Sequence, residues 1–190
     1  SKKIKQFYNK INLWISAKDQ NLWDAMNRGI VLSSGQIIGI LNSGDILYKN
    51  SLKIILGYFN NFKIDYLFGS VKKDRIYKNF YPEKIFYRFN IYPSHSGGFF
   101  IKKNCQLKIG LYNTKYISAD YDFLYRLIKN KQFKGMATKK NELISKFDLH
   151  GISSKISFFK SYYDEMKIRF NNGQNIFYLI ILFNLKIINK

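Results

Sequence analysis

The chain has 190 residues, with 32 Lys and Arg against 12 Asp and Glu, a formal net charge of +20. A hydrophobic content of 46% excludes a disordered chain and supplies enough apolar material for the core of a single domain. The single cysteine, Cys105, excludes an intramolecular disulfide framework and fits a reducing compartment. Positive charge of this size invites nucleic acid or an anionic membrane as partner. Lys is spread through every segment, however, with no helix-turn-helix, zinc or RNA-binding aromatic signature. Most of it therefore reads as solvated surface, and no specific nucleic-acid partner is expected.

The opening "SKKIKQFYNK" has neither an apolar signal-peptide core nor an initiator Met. It reads as the end of a helix whose upstream unit is lost. "INLWIS" (11–16) alternates and predicts a strand, and "NLWDAMNRGIVLSSG" (21–35) predicts a helix with Leu22, Met26 and Ile30 on one side. "QIIGIL" (36–41) reads as a buried strand that stops at Asn42-Ser43-Gly44-Asp45. "NSLKIILGYFNNF" (50–62) predicts a helix with Asn50 as N-cap and Leu52, Ile55, Leu56 and Phe59 as its stripe. "DYLFGSV" (65–71) reads as a strand with "RIYKNF" (75–80) as its neighbour. After a loop holding Pro82 and Pro93, "HSGGFFIKK" (95–103) reads as another strand. "ADYDFLYRLIKN" (119–130) predicts a helix with Tyr121, Leu124, Tyr125 and Ile128 inward. "FKGMATKK" and "LISKFDL" read as strands, and helices are expected at about 153–171 and 174–188. Strands alternating with helices imply an α/β sheet covered on both faces.

Ligands of such sheets bind at the carboxyl ends of strands, where Asp45 stands. A carboxylate there can hold a divalent cation, and Gly44 lets the backbone turn sharply. Taken alone, Asn-Ser-Gly-Asp is equally a simple turn. Asp120 falls in the first turn of a predicted helix, where the helix dipole favours an ionised carboxylate, and helix-start acids are common. Asp122 can pair with Arg126 at i, i+4, which reads as structural.

In their surroundings these residues form a longer pattern. "ISAKDQNLWDAMNRGIVLSSGQIIGILNSGDILYKNSL" resembles the middle of bacterial family 2 glycosyltransferases with the GT-A fold, where a similar segment runs into the metal-binding DxD motif. "PSHSGGFFIKK", "IGLYNTKYISADYDFLYRLI" and "FDLHGIS" resemble three further segments of that family, in order, so that the likeness covers about residues 10–154. The resemblance implies a GT-A, Rossmann-like three-layer sandwich lacking its first βαβ unit, with a partial catalytic domain at 1–152 and a helical extension at 153–190. It implies inverting transfer of a sugar from a nucleotide-diphosphate donor to an acceptor hydroxyl of a glycan or lipid-linked acceptor. The expected setting is bacterial cell-surface polysaccharide or lipopolysaccharide biosynthesis on the cytoplasmic side.

By the same resemblance Asp120 matches the catalytic base. Asp45 matches the last acid of the metal motif and would hold Mn²⁺ or Mg²⁺, although Gly44 stands where the fuller motif has an acid. Asp24, Asn27, Arg28, Asn42, Gly44 and Asp45 match positions beside the donor, Arg28 being either a phosphate contact or a solvent-facing helix residue. His95, His150 and Ser153 match acceptor-side or loop contacts. The apolar run from Ile176 to Phe183 is too short to span a membrane. It reads either as a core-packing helix or as an interfacial one in contact with an anionic inner leaflet. The competing reading of the whole chain is a non-catalytic basic protein that binds anionic polymer or nucleic acid on a degenerate glycosyltransferase scaffold.

Overall fold

A computed structural model describes residues 4, 6–77, 81–89, 95–148 and 157–188. Six helices are α1 (Leu22–Leu32), α2 (Ser51–Asn61), α3 (Lys103–Ile109), α4 (Ala119–Lys129), α5 (Phe158–Asn171) and α6 (Ile176–Ile188). The strands are β1 (Ile37–Gly39), β2 (Ile46–Leu47), β3 (Tyr66–Phe68), β4 (Ser70–Lys72), β5 (Ile76–Tyr77), β6 (Phe99–Lys102), β7 (Gly135–Ala137) and β8 (Leu143–Lys146). They form two mixed four-stranded sheets, ordered β1-β6-β3-β7 and β2-β8-β4-β5. Only β3–β7 and β4–β8 pair in parallel.

The first sheet is covered on both faces, and the period of two along its strands shows how. Tyr66, Phe68, Phe99 and Ile101 point into a core shared with Tyr121, Phe123, Leu124 and Leu127 of α4. Their neighbours Leu67 and Phe100 point the other way, onto Ile55 of α2, Ile64 and Ile144. The residues read as one strand over 65–71 belong to both sheets. β3 ends at Phe68, and β4 begins at Ser70 in the second sheet. Gly69 makes that crossing because a Cβ there would lie 2.6 Å from Ile144 Cγ1 and 3.2 Å from the Gly98 carbonyl.

Several expectations are corrected. Residues 11–16 form no strand: Ile11, Leu13, Trp14 and Ile15 are exposed, and no described segment offers them a ladder. The buried side of α2 is Ser51 and Ile55, flanked by Ile54 and Tyr58, while Leu52 and Leu56 face solvent. Asn50 precedes α2 without a side-chain capping bond. His95 does not start a strand but precedes a tight 3₁₀ turn, Ser96–Gly98, and β6 begins only at Phe99. Helix α3 follows β6 directly. It is seven residues long, too short to declare a period, and turns Cys105 and Gln106 inward. The C-terminal helices form at 158–171 and 176–188, and residues 153–156 of the expected first one lie outside the described residues. α6 is not a core-packing helix over its described length: Leu179 is its one buried side chain, and Phe177, Ile180 and Ile181 are exposed.

Candidate active site

The carboxyl end of β1 leads into the turn Asn42–Asp45, closed by Asp45 N–H donating to the Asn42 carbonyl at 3.1 Å. Gly44 has φ +92°, a left-handed conformation that a side chain would resist. A Cβ on it would also collide with the Asp148 carboxylate. Asn42 Nδ2 donates to Ser96 Oγ at 2.9 Å, which ties the turn to the one before β6.

Asp45 is held by half. Its Oδ1 accepts from Asp148 N–H at 2.9 Å, whereas Oδ2 is buried with no hydrogen-bond partner. Among the described residues, the hydroxyl of Ser145 on β8 is the other buried polar side-chain atom without a hydrogen-bond partner. Gly97 backs onto both: a Cβ there would lie 2.9 Å from Ser145 Oγ and 3.6 Å from Asp45 Oδ2. A buried carboxylate oxygen without a donor costs free energy unless something cationic faces it. Asp45, with Asp148 next to it across the Oδ1 hydrogen bond, offers carboxylate oxygens of the kind a hard divalent cation takes. Among the described residues no group of three or more His, Cys, Asp or Glu assembles.

Asp120 lies in the first turn of α4, half-buried, with Oδ1 accepting from Tyr121 N–H at 2.9 Å. Burial raises its pKa from 3.8 to about 6 against the lowering effect of that backbone bond, and the Asp164 charge adds to the rise. Asp164 arrives from α5, where its Oδ2 accepts from Ser118 N–H at 2.7 Å, two residues before Asp120. Asp122, one of the sequence's ion-pair candidates, is buried and bound to Arg126 Nε and Nη2, both at 2.9 Å, and to Asn172 Nδ2 at 3.0 Å. Arg126 in turn donates to the carbonyls of Ile109 and Leu111.

Helix α1 runs alongside the segment that enters α4. Asn21 caps it, accepting from Trp23 and Asp24 N–H, and Asn21 Nδ2 donates to the Thr114 carbonyl. Trp23 Nε1 donates to the Ile117 carbonyl. Asn27 exchanges two bonds with the backbone of Tyr112, at 2.8 and 2.9 Å. Arg28 is ion-paired to Asp19 at 3.1 Å and Asp24 at 3.6 Å. A small recess of about 20 Å³ lies beside the carboxyl end of β1, with Ile40, Ser96, Phe99 and Tyr112 among its walls.

His95 lies close to the Asp45 group through its neighbour in space, Phe147, at a ring separation of 5.2 Å, with Tyr77 edge-on at 5.4 Å. Burial lowers its pKa to about 4, with Lys73 contributing, so the imidazole is neutral near pH 7. His150 and Ser153 lie outside the described residues. Sequence reasoning passed over three members of this region. Ser145 and Asp148 sit inside "LISKFDL", read as a strand, and Asp164 inside an expected helix; the scarcity of acids was a signal for Asp148 and Asp164 alone.

No protein-family model matches the chain, and no curated protein does. Solved structures do.

The chain shares the fold of S. aureus TarS. Against the TarS 1-349 crystal structure the TM-score is 0.63 at 13% identity, over 88% of this chain and 50% of that one. Against the same TarS fragment in complex with UDP-GlcNAc the TM-score is 0.65 at 14% identity, covering 88% and 52%. A further TarS structure gives 0.63 at 13%, covering 88% of this chain and 30% of that one. The likeness is one of fold. The chain spans about half the length of the TarS 1-349 structures it matches.

Proposed function

We propose that the chain is the catalytic face of an inverting glycosyltransferase that moves a sugar from a nucleotide-diphosphate donor to an acceptor hydroxyl. The expected setting is bacterial cell-surface polysaccharide or lipopolysaccharide synthesis. The observation that carries this reading is the half-satisfied Asp45 at the carboxyl end of β1, together with Asp120 in the first turn of α4, whose carboxyl pKa burial raises. The TarS fold, and the UDP-GlcNAc in one TarS structure, support a nucleotide-sugar as donor.

In this mechanism Asp120 takes the proton from the acceptor hydroxyl. The hydroxyl oxygen then forms its bond to the anomeric carbon while the bond from that carbon to the diphosphate oxygen breaks on the opposite side, which inverts the centre. Asp45, with Asp148 beside it, would hold Mn²⁺ or Mg²⁺, and the cation's contribution is to neutralise charge that develops on the leaving diphosphate. The unpartnered Oδ2 of Asp45 fits that group. Asn42 and Gly44 shape the turn that presents Asp45, and Arg28 is the cation of α1 nearest to a donor role. His95 stays neutral and offers a hydrogen bond, not a charge.

The test has two readouts. Mn²⁺ titrated into the chain should bind by electron paramagnetic resonance and lose most of its affinity in Asp45→Asn. With a panel of nucleotide-sugars, turnover should stop in excess EDTA and return with Mn²⁺ or Mg²⁺. Undiminished turnover in EDTA would sink the metal role, and unaltered Mn²⁺ binding in Asp45→Asn would remove Asp45 from it.

A further inference from the structure

The C-terminal hairpin sorts its side chains by charge. The only acids after Asp148 are Asp164 and Glu165, and α5 turns both inward. Asp164 is taken by Ser118 N–H and Glu165 by the buried Arg169 guanidinium, at 2.8 and 3.0 Å. The outward face of α5 is left with Lys160, Tyr163, Lys167 and Phe170, with Tyr163 74% exposed. Across the turn that ends α5, α6 is apolar along most of its length and carries no acid. Phe177 is 73% exposed, and Ile180 and Ile181 are exposed as well.

Such a surface is unfavourable in water. A helix that is apolar on every side is normally buried, and α6 buries little besides Leu179. Three occupants would cover it, and charge decides between them. A second copy meeting this face about a two-fold axis would set lysines against lysines with no acid on the face to pair them. Nucleic acid suits the lysines but not the aliphatic residues of α6. An anionic lipid surface suits both: aromatic and aliphatic side chains enter the acyl boundary, and lysines reach the headgroups. Length fixes the mode of contact. α6 rises roughly 20 Å over its length, short of a hydrocarbon core of about 30 Å, and no described helix is long and apolar enough to cross a membrane.

We propose that the α5–α6 hairpin is a docking surface that lays this protein on anionic bilayers, α6 lying in the plane of the interface. The inference is independent of the glycosyltransferase reading, since it uses none of the residues assigned to that chemistry.

The test is co-sedimentation of the full chain with vesicles. Binding is expected to equal parts phosphatidylglycerol and phosphatidylcholine, to be absent with phosphatidylcholine alone, and to weaken as salt rises. Lys160→Gln with Lys167→Gln should reduce partitioning by roughly thirtyfold. Phe177→Asp with Ile181→Asp should abolish it. All four positions are exposed, so thermal melting should show the fold intact. Failure to sediment with the phosphatidylglycerol vesicles would overturn the proposal, as would binding that both double variants leave unchanged. A dimer in sedimentation velocity that Phe177→Asp with Ile181→Asp dissolves would assign the face to a second copy and overturn it equally.

Discussion

Asp120 is held in a setting that opposes the ionised form it would need as the proposed base. Its folded pKa, about 6, lies above the ordinary 3.8, so the folded chain binds this proton more tightly than the unfolded one between those values. Stability therefore falls as pH rises from about 4 through about 6, and the cost persists at neutral pH. Asp120→Asn should raise the melting temperature at pH 7.5 and give no gain near pH 4, while turnover falls by roughly 10²–10⁴-fold. A melting temperature that drops at pH 7.5 would mean the carboxylate is structurally favoured. Turnover should rise with pH along a limb near pH 6. Two ionisable groups face Asp120 from the elements around it: Asp164 from α5 and the buried Tyr112 before α4. Tyr112 stays neutral through this range, so Asp164→Asn should move the limb to lower pH with the rate at pH 8 retained. Asp122 behaves differently although it is two residues away. From the sequence it reads as one half of a helix-surface pair, but its burial against Arg126 and Asn172 makes Asp122→Asn the loss of a buried charge and of its charge-assisted hydrogen bonds. Urea unfolding should register a loss of roughly 1.5–3 kcal/mol, with catalysis in the surviving folded protein largely intact.

The elements show why some features are legible in a sequence and others are not. α1 and α4 announce themselves, α1 by Met26 and Ile30 on one side of its predicted helix and α4 by four inward residues at helical spacing. The Asn42–Asp45 turn is legible because Gly and Asp follow an apolar run. The division of 65–71 between two sheets is not, because both halves alternate in the same way. What separates them is a contact with Ile144, 75 positions away along the chain. The partners of Asp45 are hidden for the same reason: β8 brings Ser145 and Asp148 back across about a hundred residues, and no local pattern encodes that pairing. These crossings make glycine substitutions informative. Gly69→Ala places a Cβ 2.6 Å from Ile144 Cγ1 and should cost roughly 1–3 kcal/mol in urea unfolding through overpacking. Gly44→Ala acts locally instead. It strains the turn and displaces the Asp148 carboxylate, so Mn²⁺ affinity should fall more than stability does.

At the scale of the whole molecule, the alternation of strands and helices already implied a layered α/β architecture. It did not reveal how the C-terminal helices join it, because the side chain that joins them looks like any other surface arginine in the sequence. Arg169 is fully buried, and each of its five N–H bonds has an acceptor: Glu165 twice, Gln174, and the carbonyls of Phe86 and Arg88. Its guanidinium also lies 4.7 Å from the Phe89 ring and 5.6 Å from that of Tyr121 on α4. Three stretches of chain, 82–89, α4 and α5, therefore close around one cation that none of them can release alone without stranding its charge in the core. The molecule should come apart here as a latch does, all at once. In native-state hydrogen exchange the amides of α4 around Asp120 should open with those of α5 around Arg169, at one shared free energy, and Arg169→Met should lower both together. If α5 exchanged freely while α4 stayed closed, the latch would not couple them. If they open together, the first step of unfolding carries away the helix of the proposed base, and loss of the proposed activity on warming should run in parallel with loss of the C-terminal helices.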